Sequence, residues 1–349
     1  RAVLPEDLFE LYLDTSRRPY PSQASIVMDS QLVELGRRTS LGPPNLGERR
    51  HTGVHRRTLR QILAARLEGV VRYGVSATGY AEDSSGVTLQ LSDGTAARGD
   101  LLVAADGIRS AVRDQRLPET TVVSTAIKGM DLYGRTPYTD EMLATIPEDL
   151  HDSMRIATDG RARCLLGSFR ARRPIAEAVS DRAPDVRVDP VDDYMMVSCS
   201  VAPGTVIPPQ VEWTAETPAL IRESMSRAVA DWHPAIRTLV GGIDLASIFA
   251  ISFSYLRPQP TWEPSRVTVL GDAAHGMLPT LGMGANTALQ DARMISERVA
   301  AASRAEMTLT EAVGGYEALM REHVYPLIPL TADHDNVFGG GALARADRA

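Results

Sequence analysis

Long apolar runs are missing from this 349-residue chain. No stretch approaches the roughly 20 residues that a membrane-spanning helix needs, so no membrane span is expected. Cysteine is nearly missing as well. Only Cys164 and Cys199 occur, which excludes a disulfide scaffold and fits a reduced, cytoplasmic setting. There is no CxxC pair and no metal-ligand spacing. Basic runs are absent, and 37 Lys and Arg are outnumbered by 44 Asp and Glu for a net charge of −7. Nucleic acid is therefore not an expected partner. The opening RAVLPEDLFELYL carries no Met and no signal-peptide core. Repeats and low-complexity segments are lacking, and nothing fixes an oligomeric state. What is present is ordinary globular composition, 44% apolar and 23% charged. The length suits two domains, or one large domain with an insertion.

The pattern of elements is mixed α/β. PEDLFELYL reads as helix and ASIVMDSQLVEL as a hairpin. VHRRTLRQILAARL, residues 54–67, places Leu59, Ile62, Leu63 and Leu67 on one helical stripe. Strand-like pieces follow: GVVRYGVSATGYA, GVTLQL, a turn at Ser92-Asp93-Gly94, and Leu101 to Ala105. Composition then shifts. Residues 118–260 are rich in Pro, Arg and Thr, with alternating strands such as MMVSCSV and IFAISFSYL around one clear helix, PALIRESMSRAVADW. This reads as an insertion built on an antiparallel sheet. EAVGGYEALMREHVYPLI is a late helix, and the GGGALARADRA end reads as a flexible tail.

Two stretches carry chemistry. In RVTVLGDAAHGMLPTLGMGANTALQDA a short buried strand runs into Gly271 and Asp272, then a glycine-rich loop, then a helix opening near Gly284 to Asn286. Ligands of doubly wound folds bind beyond the carboxyl ends of parallel strands. An Asp there can accept bonds from a ribose-like hydroxyl, glycines let backbone approach a flat ligand, and a helix start offers free N–H groups and partial positive charge. The second stretch is Asp106-Gly107-Ile108-Arg109-Ser110-Ala111-Val112-Arg113, where the strand LLVAA runs out. Alone it is equally well a β-turn with a capped helix; some 160 residues from the first stretch, it points to a shared site.

DGIRSAVR and GDAAHGMLPTLGMGANTALQDA together resemble the single-component flavin monooxygenases of the para-hydroxybenzoate hydroxylase type. VHRRTLRQIL is similar to that family's third landmark, an Arg at a helix start that contacts FAD. ADWHPAIRTLV and LTEAVGGYEALM give a layout closest to the tetracycline-modifying branch. The likeness spans nearly the whole chain and is weakest over 120–250. One landmark is absent: no GxGxxG occurs in the 349 residues. On the family's layout, roughly 60 residues carrying the first βαβ unit precede Arg1, and the expectation is that the sequence is a fragment.

The resemblance implies a Rossmann-like FAD-binding domain lacking its N-terminal βαβ, made of residues 1–118 and 261–330. It also implies an inserted α+β substrate domain over 119–260, a C-terminal helix, and a tail over 331–349. It implies FAD as cofactor, with NADPH (or NADH) as co-substrate and O2 as oxidant. One oxygen atom would pass from a flavin C4a-hydroperoxide to an aromatic, polyketide-like or similar small organic substrate. Hydroxylation and Baeyer–Villiger insertion both stay open. Asp272, beside Gly271, is the expected ribityl or pyrophosphate ligand, and Arg56 and Arg113 are expected on the pyrophosphate and ribityl side. Asp106 and Gly107 match the second fingerprint. Pro279 would line the flavin face, and Gly282, Gly284, Ala285 and Asn286 its pyrimidine edge. His275 reads as structural, and no side chain is assigned as catalytic. Met130, Tyr133, Met195 and Phe253 lie in the substrate region and read first as core. Ala285, Ala288, Leu289, Ala292, Ile295 and Val299 read as the core stripe of the late helix. A flavin reductase on the same scaffold, and a non-catalytic fragment, are the alternatives.

Overall fold

A computed structural model describes residues 4–20, 24–39, 53–124, 130–201 and 213–332. The expected tail beyond 332 lies outside the described residues. The chain forms two compact units, residues 1–71 with 126–252 and residues 72–125 with 253–349. This differs from the division expected from the sequence, because 1–71 joins the insertion.

The reason is strand pairing. The hairpin of Ala24–Asp29 and Glu34–Thr39 adds to the sheet of the insertion through parallel pairing of Ala24–Asp29 with Arg155–Thr158. The sheet has seven strands. From the Phe249–Ile251 edge it runs through Met130–Pro137, Tyr194–Val201, Arg163–Phe169 and Arg155–Thr158 to the hairpin. All its other pairings are antiparallel. Alternation sends Met195, Val197 and Cys199, with Cys164 and Leu166, to one face. There they pack with Ile221, Met225, Ile236 and Leu239 of the helices Thr217–Ala228 and Pro234–Gly241. Cys164 and Cys199 are opposite one another, buried and free. A smaller cluster joins Leu8 and Leu11 of the helix Glu6–Thr15 to Ile62, Ala178 and Ala183.

Gly134 is held in this unit by close packing. A Cβ there would collide with the Ile243 side chain, itself fully buried, and touch Ile248. Gly134→Ala is expected to cost about 1–3 kcal/mol by overpacking, read as a lower denaturant midpoint. An unchanged midpoint would show that Ile243 moves aside freely.

In the second unit Ala77–Asp83, Gly86–Leu91 and Ala96–Gly99 form an antiparallel meander, and Leu102–Ala104 pairs in parallel with Val267–Val269. Val267, Val269, Ala273, Ile295, Val313, Tyr316 and Met320 make its core. Three expectations shift. GVVRYGVSATGYA is strand only from Ala77, leaving Val70 and Tyr73 exposed. IFAISFSYL divides into Phe249–Ile251 and Ser254–Leu256, which pair with different sheets. The late helix breaks before Pro326 into Leu309–Val324 and Leu327–Ala332, as a proline imposes on the residue before it. No described helix is long and apolar enough to cross a membrane.

Glu317 is fully buried, accepting from Thr268 Oγ1 at 2.8 Å. Burial outweighs its hydrogen bonds and the charges of Arg321 and Arg116, so its carboxyl sits above the usual range. The folded state then holds this proton more tightly than the unfolded chain. Its contribution to stability falls as pH rises from the unfolded value of about 4.3 to the raised folded one. Glu317→Gln keeps the acceptor and is expected to flatten that fall in melting temperature across pH 4–8. A parallel curve for variant and parent would contradict the assignment.

Candidate flavin site

The parallel pair places the two motifs side by side. Val269 aligns with Ala104, and the Leu270 N–H donates to the Ala104 carbonyl at 2.8 Å. Both strands therefore end at the same edge, where the Asp106-Gly107 and Gly271-Asp272 turns emerge. Ile108 of one loop seats against Gly276 of the other, where a Cβ would come within 2.9 Å.

Each turn depends on its glycine. Gly107 has φ +86° with no atom within 4 Å of a would-be Cβ, so its backbone is bare on that side. Gly271 has φ 60° and ψ −137°, and a Cβ there would press on Ala288 at 3.1 Å. Such a conformation is nearly closed to other residues.

Behind the second turn is a buried pair. His275 Nε2 and Asp291 Oδ2 are 2.5 Å apart, and both side chains are fully buried. The same carboxylate oxygen accepts the Gly271 N–H at 3.1 Å. Asp291 thus clamps the turn to the helix Gly284–Ser303, and His275 is structural. Asp291 escaped the reading of the sequence, since a buried acid within an apolar helix face has no local signature. The helix accordingly buries Thr287, Asp291 and Ile295, while Leu289 and Ala285, expected in its core stripe, are exposed.

In front of the turn the surface is open. Asp272, Pro279, Gly282, Ala285 and Asn286 are all exposed, as is Asp106. Gly282 is left-handed at φ 63°, ending the short turn Pro279–Leu281. A Cβ built on Gly284 would lie 4.0 Å from Asp272 Oδ1, so the helix start and the aspartate are neighbours. The Gly284–Ser303 helix has no side-chain cap. Its first-turn N–H groups have no partner inside the helix and carry the positive end of a 20-residue dipole. Thr280 and Leu278 tie the loop to Thr331 at 3.1 and 3.3 Å.

The residues present fit a flat cofactor with hydroxyls and a ring edge that gains negative charge. There is bare glycine backbone, two exposed carboxylates, Asp106 and Asp272, unpaired among the described residues, and an uncapped helix start. Arg113 does not share in this. It is only 1% exposed, and it donates from Nη1 to the Ile108 carbonyl at 2.7 Å and from Nη2 to Asp114 at 2.7 Å. With its backbone N–H on the Ser110 hydroxyl, Arg113 shapes the turn instead of facing a ligand, which corrects the expected pyrophosphate contact. Arg56 belongs to the other unit. It opens the helix Arg56–Ala64, is exposed, and forms no hydrogen bond or ion pair among the described residues. Its neighbour Arg57 pairs with Asp189 at 2.5 Å. Of the substrate-region candidates, Met195 is core and Tyr133 stacks on Phe249 with ring centres 5.0 Å apart. Phe253 is half-buried, and the side chain of Met130 lies outside the described residues.

Residues 201–313 match the sequence model of the FAD binding domain. The salicylate hydroxylase of Pseudomonas putida is 29% identical over 80% of this chain and 60% of its own length. Over about a third of its length the chain is thus similar to FAD-binding domains, and its relatives include named hydroxylases and monooxygenases. A second relative, a dual O-methyltransferase/FAD-dependent monooxygenase of Cercospora beticola, is 30% identical over 77% of this chain and 32% of its own length. The chain thus spans between a third and three fifths of these relatives. A Photorhabdus luminescens structure, described as an FAD-containing monooxygenase, has a similar fold, with a TM-score of 0.77. It is 23% identical, over 96% of this chain and 83% of that one.

Proposed function

We propose that this chain is the flavin- and substrate-holding part of an FAD-dependent monooxygenase. With NADPH or NADH as reductant and O2 as oxidant, it inserts one oxygen atom into an aromatic, polyketide-like or similar small organic substrate. The observation that carries the reading is the shared edge of two parallel strands, where Asp272, bare glycine backbone and an uncapped helix start meet. FAD, when bound, supplies the electron transfer and oxygen activation.

The protein's own part follows from its atoms. Asp272 accepts hydrogen bonds from cofactor hydroxyls. The N–H groups of Gly284, Ala285 and Asn286 at the uncapped helix start would hold a ring edge that gains negative charge, and would favour its reduced form. Gly107 and Gly282 let backbone lie flat against the ligand, and Pro279 lines its face. Asp106 flanks the same edge. Residues 72–125 and 253–332 hold the flavin, and the seven-stranded sheet carries substrate choice. The two free, buried thiols fit a cytoplasmic setting.

The test is a purified protein with added FAD, NADPH and isotopically labelled O2, offered a panel of hydroxybenzoates and polyketide phenols. A flavin band near ~450 nm and one labelled oxygen in product are the expected results. Reduced coenzyme consumed without label in product would favour a reductase. Failure to take up FAD would overturn both.

A further inference from the structure

The first unit holds a corner of surplus positive charge in a chain of net charge −7. Ser16-Arg17-Arg18 runs antiparallel to Arg170-Ala171-Arg172, with Arg17 bridged to Ala171, the Arg172 N–H on the Ser16 carbonyl and the Arg18 N–H on the Arg170 carbonyl. This backbone pairing gathers arginines from two distant segments. The acids nearby are taken. Asp14 is held by Arg173 at 3.1 Å and Arg182 at 2.9 Å, Asp181 by Arg173, and Asp193 by Arg170 at 3.8 Å.

Arg17 and Arg172 are left over. Neither forms an ion pair among the described residues. Arg172 Nε donates to the Ser16 hydroxyl at 3.1 Å, yet its Nη2 is buried with no hydrogen-bond partner among the described residues. Arg17 stacks on the Tyr20 ring at 3.4 Å, yet its Nη1 is likewise buried and unpartnered among the described residues. Gly53 closes over Arg17, where a Cβ would reach 2.7 Å from Nε. Burial and the charge of Arg172 both pull Arg17 below the usual arginine range. Two like charges within electrostatic reach of each other, partly desolvated and each with a buried donor unpartnered among the described residues, are costly without a counter-anion.

We propose that Arg17 and Arg172 form a phosphate-binding site. The guanidinium fork matches phosphate oxygens, and two of them give a dianion the paired charge this corner lacks. The phosphate has two sources in this chemistry, free phosphate and the extra phosphate that distinguishes NADPH from NADH. Only the coenzyme arm rests on the monooxygenase reading.

Titration calorimetry of the full chain with inorganic phosphate, against chloride of equal ionic strength and without FAD, tests the site itself. Saturable binding is expected, weakened at least about tenfold in Arg17→Gln/Arg172→Gln, with Arg172→Lys intermediate. Absence of saturable binding in the parent protein, or equal affinity in a folded double variant, would overturn the proposal. The parent titration decides even if the double variant fails to fold. In the coenzyme arm, an NADPH preference over NADH that collapses in the variant assigns the site to the coenzyme. An unchanged preference with phosphate binding lost assigns it to free phosphate. Failure of flavin uptake touches neither titration.

Discussion

Asp291→Ala is expected to cost the second unit about 3–5 kcal/mol, the range for removing one partner of a buried polar pair. The carboxylate accepts from two elements at once, His275 Nε2 at 2.5 Å and the Gly271 N–H at 3.1 Å. His275 Nδ1 already has no hydrogen-bond partner among the described residues, so truncation would leave the whole imidazole and a strained glycine amide buried and unsatisfied. That is a large share of the 5–15 kcal/mol stability of a typical domain. Asp291→Asn retains an acceptor oxygen and should lose less than half as much. Urea unfolding of both variants is the measurement. A loss below about 1 kcal/mol for Asp291→Ala would mean that apolar packing alone holds the Gly271 turn.

Legibility of the sequence followed the range of the interaction. The Gly271-Asp272 and Asp106-Gly107 turns were readable because a strand end, a glycine and an acid are local signals. The helix start at Gly284 was readable for the same reason, and the structure opens it there. Arg113 misled because a sequence shows that a guanidinium is available, not that a carbonyl five residues back, Ile108, already occupies it. The place of residues 1–71 was illegible because it hinges on Ile26 aligning with Arg155, a pairing across 129 positions of chain. Val70, Val71 and Tyr73 have strand-forming side chains, yet no described strand pairs with them. The break before Pro326 was missed, although a proline is itself a local signal, because the apolar spacing continues on either side of it. The Arg17–Arg172 corner was illegible, since it exists only once Arg17 lies beside Ala171.

Asp272→Ala is expected to weaken FAD binding by about 10–100-fold, the worth of one or two hydrogen bonds to a charged acceptor. Asp272 is well suited to isolate this effect. Its side chain is exposed and makes no hydrogen bond to the described residues, so stability should stay within about 0.5 kcal/mol of the parent. Its place is set by other residues, the Gly271 turn and the Asp291 clamp, which the substitution leaves intact. Loss of affinity would therefore report the carboxylate and not a collapsed loop. Asp272→Asn, with one acceptor oxygen left and no charge, should fall between the two. Fluorescence titration with FAD reads the affinity, and thermal unfolding of the same samples reads the fold. If all three proteins bind FAD alike, Asp272 serves only as the acidic first residue of the short Asp272–His275 helix, stabilising that helix start, and the cofactor's hydroxyls must find their acceptor elsewhere.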